Sequence, residues 1–199
     1  MNSCDKEFLL RAYGALYDAE AGPWNTSAHS KYLEYMLASF FEKHIAVKPG
    51  DHICNIGVGA GAWDRFLSYQ LKGGSLTSID IDEGCCRQLK LGLENENNPN
   101  SVRVICSDVL LADGMDEQFD IVTMVGSTRL ESGQYEGILQ KAASFIKPGG
   151  VFYYQTLDQR EKRADFAMIC ESCSLKIEAY LLDTSYGMRA QFFAARKAG

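Results

Sequence analysis

The sequence has little basic charge and lacks any long apolar segment. Its 20 Lys and Arg are outnumbered by 26 Asp and Glu and form no cluster, which argues against a nucleic-acid partner because phosphate binding needs a positive surface. No apolar run approaches the roughly 20 residues that cross a bilayer. No internal repeat or low-complexity segment is present. A composition of 46% hydrophobic and 23% charged residues predicts a soluble globular protein without nucleic-acid or membrane partners.

The first residues, Met1 to Glu7, lack the basic-then-apolar layout of an export signal. The seven cysteines are odd in number and scattered, so we expect free thiols in the reducing cytoplasm. A length of 199 residues suits one domain with a single core. We therefore predict one domain over residues 1–199, in which a helical segment, 1–46, precedes a core formed by 47–199.

Two helices joined by a loop are predicted for the first 46 residues. The first has an apolar stripe at helical spacing between Phe8 and Leu16. The second has a similar stripe, made of Leu33, Met36, Leu37, Phe40 and Phe41. His29 lies four residues before Leu33, so the same period predicts that its side chain extends this stripe inward.

A glycine-rich stretch follows this helical segment. Ile53 to Ile56 form a short apolar run typical of a buried strand. Gly57, Gly59 and Gly61 come next at every second position, and a helical pattern begins at Ala62. Strand, glycine turn and helix in this order bring the backbone of an α/β protein close to a nucleotide-like ligand. Glycine is needed there because a Cβ atom would block both the tight turn and the close approach.

The rest of the chain alternates between strand and helix patterns. Strands are predicted over 75–80, 102–106, 119–125 and 151–154, and helices over 83–95, 135–146 and 160–173. The last two strands, 175–182 and 189–195, are joined by a short turn and form a hairpin. The predicted fold class is α/β, a doubly wound, Rossmann-like sheet of seven mostly parallel strands with a C-terminal antiparallel hairpin strand and helices on both faces.

Acidic residues follow two of the predicted strands. Asp80 lies 23 residues after Gly57, and an acid near this offset accepts hydrogen bonds from ribose hydroxyls in α/β nucleotide sites. Asp108 follows the next strand, where a carboxylate can accept from an adenine amino group. The alternatives are a helix cap for Asp80, a role open to Asp82 as well, and a turn aspartate for Asp108.

These motifs, in this order, resemble those of the class I S-adenosylmethionine-dependent methyltransferases. The resemblance covers roughly Pro49 to Arg196, and the terminal hairpin is similar to the one that distinguishes this family from dehydrogenases. The matching segments are Asn55-Ile56-Gly57-Val58-Gly59-Ala60-Gly61, Ile79-Asp80-Ile81-Asp82, Ser107-Asp108-Val109, Phe119-Asp120-Ile121-Val122 and Ile146-Lys147-Pro148-Gly149-Gly150-Val151.

The resemblance implies S-adenosylmethionine as the cofactor, with S-adenosylhomocysteine as its product. It also implies a set of cofactor-binding residues: Asn55, Gly57, Gly59, Gly61, Asp80, Ile81, Asp108 and Val109. At one position the chain departs from the family, which usually has Asp or Glu where Asn55 stands. An amide can donate and accept hydrogen bonds, but it brings no negative charge near the sulfonium and ammonium groups of the cofactor.

The resemblance further implies in-line transfer of a methyl group to a nucleophile, with a general base only where the acceptor must lose a proton. His29 is the candidate base because its neutral form is well populated near neutral pH; the alternative is a helix histidine packed against the sheet. No metal site is expected, since the fourth strand is followed by no carboxylate pair and Cys170 and Cys173 have no second cysteine pair.

The acceptor is expected to be a small molecule held by the N-terminal segment, which would form a lid over the sheet. Tyr13, Tyr17 and Trp24 are the predicted substrate-side residues, because three aromatic side chains beside a histidine suit a partly flat ligand. Arg129 and Tyr186 are weaker candidates. The alternative is that these aromatic side chains only pack within the lid.

Two other functions stay open. A non-catalytic domain that keeps the fold, and with it the cofactor or a partner, is compatible with Asn55. A nicotinamide-dependent oxidoreductase is compatible with the G-x-G-x-x-A spacing of Gly57, Gly59 and Ala62. It fits the terminal hairpin poorly, and no Ser/Tyr/Lys set for hydride transfer is apparent. The sequence indicates neither the methylated atom nor the oligomeric state.

Overall fold

The computed structural model describes residues 28–126, 132–187 and 189–199. Within these ranges, strands and helices alternate after a first helix. The helices are α1 (Ala28–His44), α2 (Ala62–Gln70), α3 (Glu83–Asn95), α4 (Tyr135–Ser144) and α5 (Arg163–Ser172). The strands are β1 (His52–Ile56), β2 (Ser75–Asp80), β3 (Val102–Cys106), β4 (Phe119–Val125), β5 (Ile146–Thr156), β6 (Leu175–Asp183) and β7 (Ala190–Lys197). None of the described helices is long and apolar enough to span a membrane.

The seven strands form one sheet in the order β3-β2-β1-β4-β5-β7-β6. All neighbours pair in parallel except β7, which runs antiparallel to both β5 and β6. This arrangement confirms the predicted fold class. The strand order reverses between β1 and β4, and in open α/β sheets ligands bind outside the carboxyl ends of the strands at such a reversal. We call this side of the sheet the carboxyl edge.

Helices cover both faces of the sheet, so the central strands are buried on both sides and are almost continuously apolar. On one face, Leu37 of α1 and Leu67 of α2 pack against β1, β4 and β5. On the other face, Leu139 of α4 and Phe166 of α5 pack against β4, β5 and β7.

Several element boundaries differ from those predicted, and the differences at β5 and α5 have an identifiable cause. Helix α4 ends at Ser144, and β5 begins at Ile146, so the Lys-Pro-Gly-Gly segment belongs to the strand, with a register shift against β4. Gly150 is required there because a Cβ atom would lie 2.8 Å from the Asp120 carbonyl oxygen. Helix α5 begins at Arg163 and not at residue 160, because Lys162 is its N-cap residue, with an extended backbone and an N–H that donates to Asp165 Oδ2 at 3.1 Å.

Candidate cofactor site

The glycine turn after β1 has the backbone conformation that the sequence predicts. Gly57, Gly59 and Gly61 have φ angles of 84°, 53° and 80°, a region that residues with a side chain rarely adopt. A Cβ atom on Gly61 would also lie 3.3 Å from Leu89 Cδ1 of α3. The turn is tied to the neighbouring strand, since the Gly57 N–H donates to the Ile79 carbonyl at 2.8 Å.

Asp80, at the end of β2, holds this turn in place. Its Oδ2 accepts from the N–H groups of Val58 at 2.6 Å and Gly59 at 3.2 Å, and its Oδ1 accepts from the Asp82 N–H at 2.8 Å. A carboxylate offers about four lone-pair positions, so one remains for a further donor such as a ribose hydroxyl. The cap of α3 is Asp82, which accepts from the Cys85 N–H, and this excludes the alternative role considered for Asp80.

The neighbouring strand ends provide an apolar surface beside a second carboxylate. Ile81 is 71% exposed, an unusual state for a large apolar side chain next to a polar turn. The turn after β3 is fixed to β2 because the Ser107 N–H donates to the Asp80 carbonyl at 2.8 Å. Asp108 Oδ1 caps the short 3-10 turn through the Leu110 N–H, and its Oδ2 accepts no hydrogen bond from the described residues. These groups fit a flat ring with an amino group at its rim.

Val109, the last of the predicted cofactor residues at this strand end, is buried, with 7% of its surface exposed. It can therefore contact a ligand only through its backbone, and its side chain belongs to the core that supports the turn.

Asn55 lies beneath the glycine turn in a wholly buried hydrogen-bond network. Its Nδ2 donates to the Gly57 carbonyl at 3.0 Å and to Asp64 Oδ1 at 2.9 Å, and its Oδ1 accepts from the Thr123 hydroxyl at 2.7 Å. Thr123 in turn accepts from the Trp63 indole N–H at 3.2 Å. Burial raises the pKa of the Asp64 carboxyl to about 7, while the hydrogen bond from Asn55, the nearby Ser78 hydroxyl and its own backbone N–H limit the rise.

A second buried network lies at the carboxyl ends of β4 and β5. Glu161 accepts from the hydroxyl groups of Tyr154, at 2.9 Å, and Tyr135. Burial raises the pKa of Glu161, and the two tyrosine hydroxyls oppose that rise. Gln155 Oε1 accepts from the Gly126 N–H at 3.1 Å, and its buried Nε2 has no partner.

Beside this network is an open cleft of about 360 Å³ between the start of α4 and the loop after β5. Its lining contains two glycines and four larger residues: Gly133, Gln134, Tyr135, Glu136, Gly137 and Arg160. The cleft lies at the carboxyl edge, on the β4 side of β1. Strands β2 and β3, which adjoin the glycine turn, lie on the other side of β1.

His29 lies in the first turn of α1 and is exposed. The prediction that it extends the apolar stripe inward is therefore wrong. The start of α1 lies near the carboxyl end of the outermost strand, since Tyr32 of α1 interacts with Asp183 at the end of β6. Tyr13, Tyr17, Trp24, Arg129 and the side chain of Tyr186 lie outside the described residues.

Within residues 28–126, 132–187 and 189–199, no group of three His, Cys, Asp or Glu side chains is placed to hold a metal ion. Several buried polar residues near the site were not predicted as site residues, among them Asp64, Gln155 and Glu161.

A family model described as a methyltransferase domain matches residues 53–150. A ubiquinone biosynthesis O-methyltransferase of Stutzerimonas stutzeri is 25% identical over 134 residues, which are 67% of this chain and 56% of the relative. A second protein with this description, from Pseudomonas putida, is 26% identical over 133 residues, covering 64% of this chain and 53% of the relative. The chain thus spans about half the length of the curated relatives it matches.

Solved structures resemble the whole fold. Magnesium protoporphyrin IX methyltransferase of Synechocystis PCC 6803, with S-adenosylmethionine bound, has a TM-score of 0.71 at 16% identity and covers 99% of this chain and 93% of its own. The cyclase SpnF has a TM-score of 0.74 at 12% identity, with 87% and 84% covered. A shared fold does not fix the reaction, and at this identity these structures show the fold alone.

The family assignment therefore depends on the sequence match together with the site. The matched residues contain the glycine turn, Asp80 and Asp108, and the structure brings these three features together at one edge of the sheet. The family model, which covers 53–150, and the site together support the assignment of the chain to the class I S-adenosylmethionine-dependent methyltransferase family.

Proposed function

We propose that this chain binds S-adenosylmethionine on the glycine turn and transfers its methyl group to a small-molecule acceptor. The observation that carries the proposal is the geometry of Asp80. Its carboxylate already fixes two N–H groups of the turn and keeps one lone pair for another donor. The exposed Ile81 beside it supplies the apolar surface that an adenine ring needs.

The cofactor, when bound, supplies an electrophilic methyl group on a sulfonium. In this proposal Asp80 would accept from the ribose, Asp108 would accept from the adenine amino group, and Ile81 would cover the ring. The backbone of Gly57, Gly59 and Gly61 allows close approach. Holding both reactants in line is the main contribution of the chain, because such positioning is worth about 7–11 kcal/mol.

His29 is the proposed general base for an acceptor that must lose a proton. It is solvent-accessible, and the helix that carries it starts near the carboxyl edge. With the cofactor bound, the acceptor's nucleophilic atom would take the methyl group as the carbon–sulfur bond breaks, and the electron pair of that bond would stay on sulfur. The proton of the acceptor moves to a ring nitrogen of His29.

The cleft beside α4 is the proposed place for the acceptor. Its volume of about 360 Å³ lies within the usual range of small-molecule sites. Within residues 1–46, Leu37 of α1 belongs to the core, so the part before α1 is proposed as the lid, with Tyr13, Tyr17 and Trp24 on the acceptor. The relatives carry the name O-methyltransferase of ubiquinone biosynthesis, which makes a ring hydroxyl the first acceptor to test. The predicted cytoplasmic location stays a prediction.

The proposal is tested by methyl transfer from labelled S-adenosylmethionine to a panel of phenols, catechols, amines and thiols. We expect turnover with at least one hydroxyl acceptor and its loss in Asp80→Ala. His29→Gln should lower kcat by about 100-fold or more for a hydroxyl acceptor and leave S-adenosylhomocysteine affinity unchanged. Turnover that survives Asp80→Ala would overturn the proposed cofactor site.

The second candidate is a non-catalytic domain that binds the cofactor, and Asn55 is the observation that favours it. The same panel separates the two functions. Tight S-adenosylhomocysteine binding with no turnover on any acceptor class would favour the non-catalytic domain.

A further inference from the structure

A row of small polar side chains crosses three neighbouring strands under the glycine turn. Asn55 pairs in register with Ser78 on β2 and with Thr123 on β4. All three are buried completely. Helix α2 covers this row, and its first turn places the equally buried Asp64 against it. A charged residue in this position is costly unless it is hydrogen-bonded, so its partners define its role.

The directions of the hydrogen bonds in this network are fixed by chemistry. The indole N–H of Trp63 can only donate, so Thr123 Oγ1 accepts there and turns its own hydrogen toward Asn55 Oδ1. The amide of Asn55 must then direct both N–H bonds the other way. One holds Asp64 Oδ1 and the other holds the Gly57 carbonyl, the first peptide of the glycine turn.

This network explains why residue 55 is an amide. An aspartate at this position would turn a carboxylate oxygen toward two acceptors, Asp64 Oδ1 and the Gly57 carbonyl, and all three oxygens would repel. The space under the turn therefore accommodates one carboxylate. It is that of Asp64 on helix α2, and residue 55 on β1 is an amide. The N–H groups of the first helical turn favour a negative charge there.

The second oxygen of Asp64 is free to respond to its surroundings. Asp64 Oδ2 and Ser78 Oγ both lack a hydrogen-bond partner. The groups that face Asp64 are Asn55 and the Cys54 thiol of β1, together with Ser78 and Asp80 of β2. Among these, Asp80 repels its ionised form, while Ser78, Asn55 and its own N–H favour that form. A cationic ligand near the turn would shift this balance toward the carboxylate.

We propose that Asp64 is a positioning residue that supplies, through Asn55, the carboxylate missing from the glycine motif, and that cofactor affinity is coupled to its ionisation. This inference rests on one part of the proposed function, namely that the glycine turn binds the cofactor. Asp64 touches no ligand in this scheme. It acts by holding the Asn55 amide, which holds the Gly57 carbonyl.

The first experiment is a calorimetric titration of the full chain and of Asp64→Asn with S-adenosylmethionine at pH 6, 7 and 8. The two proteins should bind with similar affinity at pH 6, and the wild type should bind up to about tenfold more tightly at pH 8. Taking the ratio of the two affinities removes the titration of the ligand's own groups. Asp113→Asn, at a fully exposed position, serves as the control and should follow the wild type.

A purely structural role predicts a different result. Asp64→Asn would then change the affinity by one factor at every pH, and a constant ratio would overturn the inference. The ligand-free thermal midpoints give a second readout: the wild type should become less stable relative to Asp64→Asn as pH rises through about 7. If the wild type binds no cofactor at all, the proposed function fails, and the cofactor coupling fails with it, whereas a midpoint difference would still establish ionisation of Asp64.

The reciprocal exchange is an independent test. Asn55→Asp alone should weaken both stability and cofactor affinity, because two buried carboxyls then face each other. Adding Asp64→Asn should recover part of both losses, since one carboxylate is restored. A double variant whose losses are the sum of the two single losses would contradict the inference.

Discussion

Asp64 and Glu161 are both buried carboxyl groups near the carboxyl edge, and their surroundings differ. Glu161 has a hydrogen-bond donor on each oxygen, Tyr135 on one and Tyr154 on the other. Asp64 has a donor on one oxygen only, and its Oδ2 lacks a partner. Burial raises the pKa of both. A carboxylate that is fully partnered fixes a loop, whereas a half-partnered one can respond to pH and to a ligand.

The backbone around Glu161 supports this distinction. Its carbonyl accepts from Gln191 at 2.8 Å and from Arg189 at 3.2 Å, both near the start of β7. The loop after β5 is thereby tied to the antiparallel strand of the sheet. Glu161 therefore stabilises the fold, whereas Asp64 supports the cofactor turn and can change its ionisation state.

The largest expected effect is that of Glu161→Ala. It would leave two tyrosine hydroxyls buried without an acceptor and create a cavity, so the free energy of unfolding should fall by about 3–5 kcal/mol. Glu161→Gln keeps the shape and should cost less. Urea unfolding of both variants measures the free energy of unfolding. An alanine variant as stable as the wild type would show that Glu161 does not stabilise the fold.

The pH dependence of stability should separate the two carboxyls next. A pKa raised in the folded state gives stability that is full below the unfolded value and is lost as pH rises through the folded value. Relative to Asp64→Asn, the wild type should lose stability as pH rises through about 7, and relative to Glu161→Gln it should lose stability as pH rises through the raised pKa of Glu161. Urea midpoints measured from pH 4 to 8 test both expectations. Identical pH profiles for the two variants would show that Asp64 and Glu161 do not differ in this way.

A smaller effect is expected from Trp63→Phe. This change removes the N–H that donates to Thr123 and keeps most of the aromatic contact with Phe66 and Tyr153. The loss of one neutral hydrogen bond should cost about 1–2 kcal/mol of unfolding free energy. Cofactor affinity should keep its pH dependence in this variant, since Asp64 and Asn55 remain; its disappearance would show that the network is more cooperative than described.

The smallest effect is that of Ile81→Ala, which should change binding and leave stability unaltered. Its side chain is 71% exposed, so the thermal midpoint should not move. Losing its cover of the adenine ring should weaken S-adenosylhomocysteine affinity about fivefold, or about 1 kcal/mol. Leu182→Ala, also exposed but on β6 at the far side of the sheet, is the matched control. Equal affinities in both variants would show that Ile81 does not contact the cofactor.

The cofactor half of the fold was predictable because its signals are local. Strands β2, β3 and β4 have the predicted bounds, since each is an apolar run that ends at a polar or glycine residue. The glycine turn and Asp80 follow at short, fixed distances. The start of β5 was not predictable. Ile146 joins the strand by pairing with Phe119, whereas the Lys-Pro-Gly-Gly segment that follows it in the sequence indicates a turn.

Asp64 and Glu161 escaped prediction for different reasons. Asp64 shares its helical face with Leu67 and Ser68 at i+3 and i+4, which does indicate an inward side chain, but Thr123, which orients Asn55, lies 68 residues away from it in the sequence. Glu161 gave no signal at all. Its predicted place was a charged helix, and its partner Tyr135 lies 26 residues earlier. Contacts across the sheet decide both positions.

The most direct test of the account is a calorimetric titration of the wild-type chain and of Asp80→Ala with S-adenosylhomocysteine. The account predicts micromolar binding by the wild type and an affinity about 100-fold lower in the variant, because one carboxylate holds both the turn and the ligand. No binding by the wild type, or equal binding by both proteins, would contradict it.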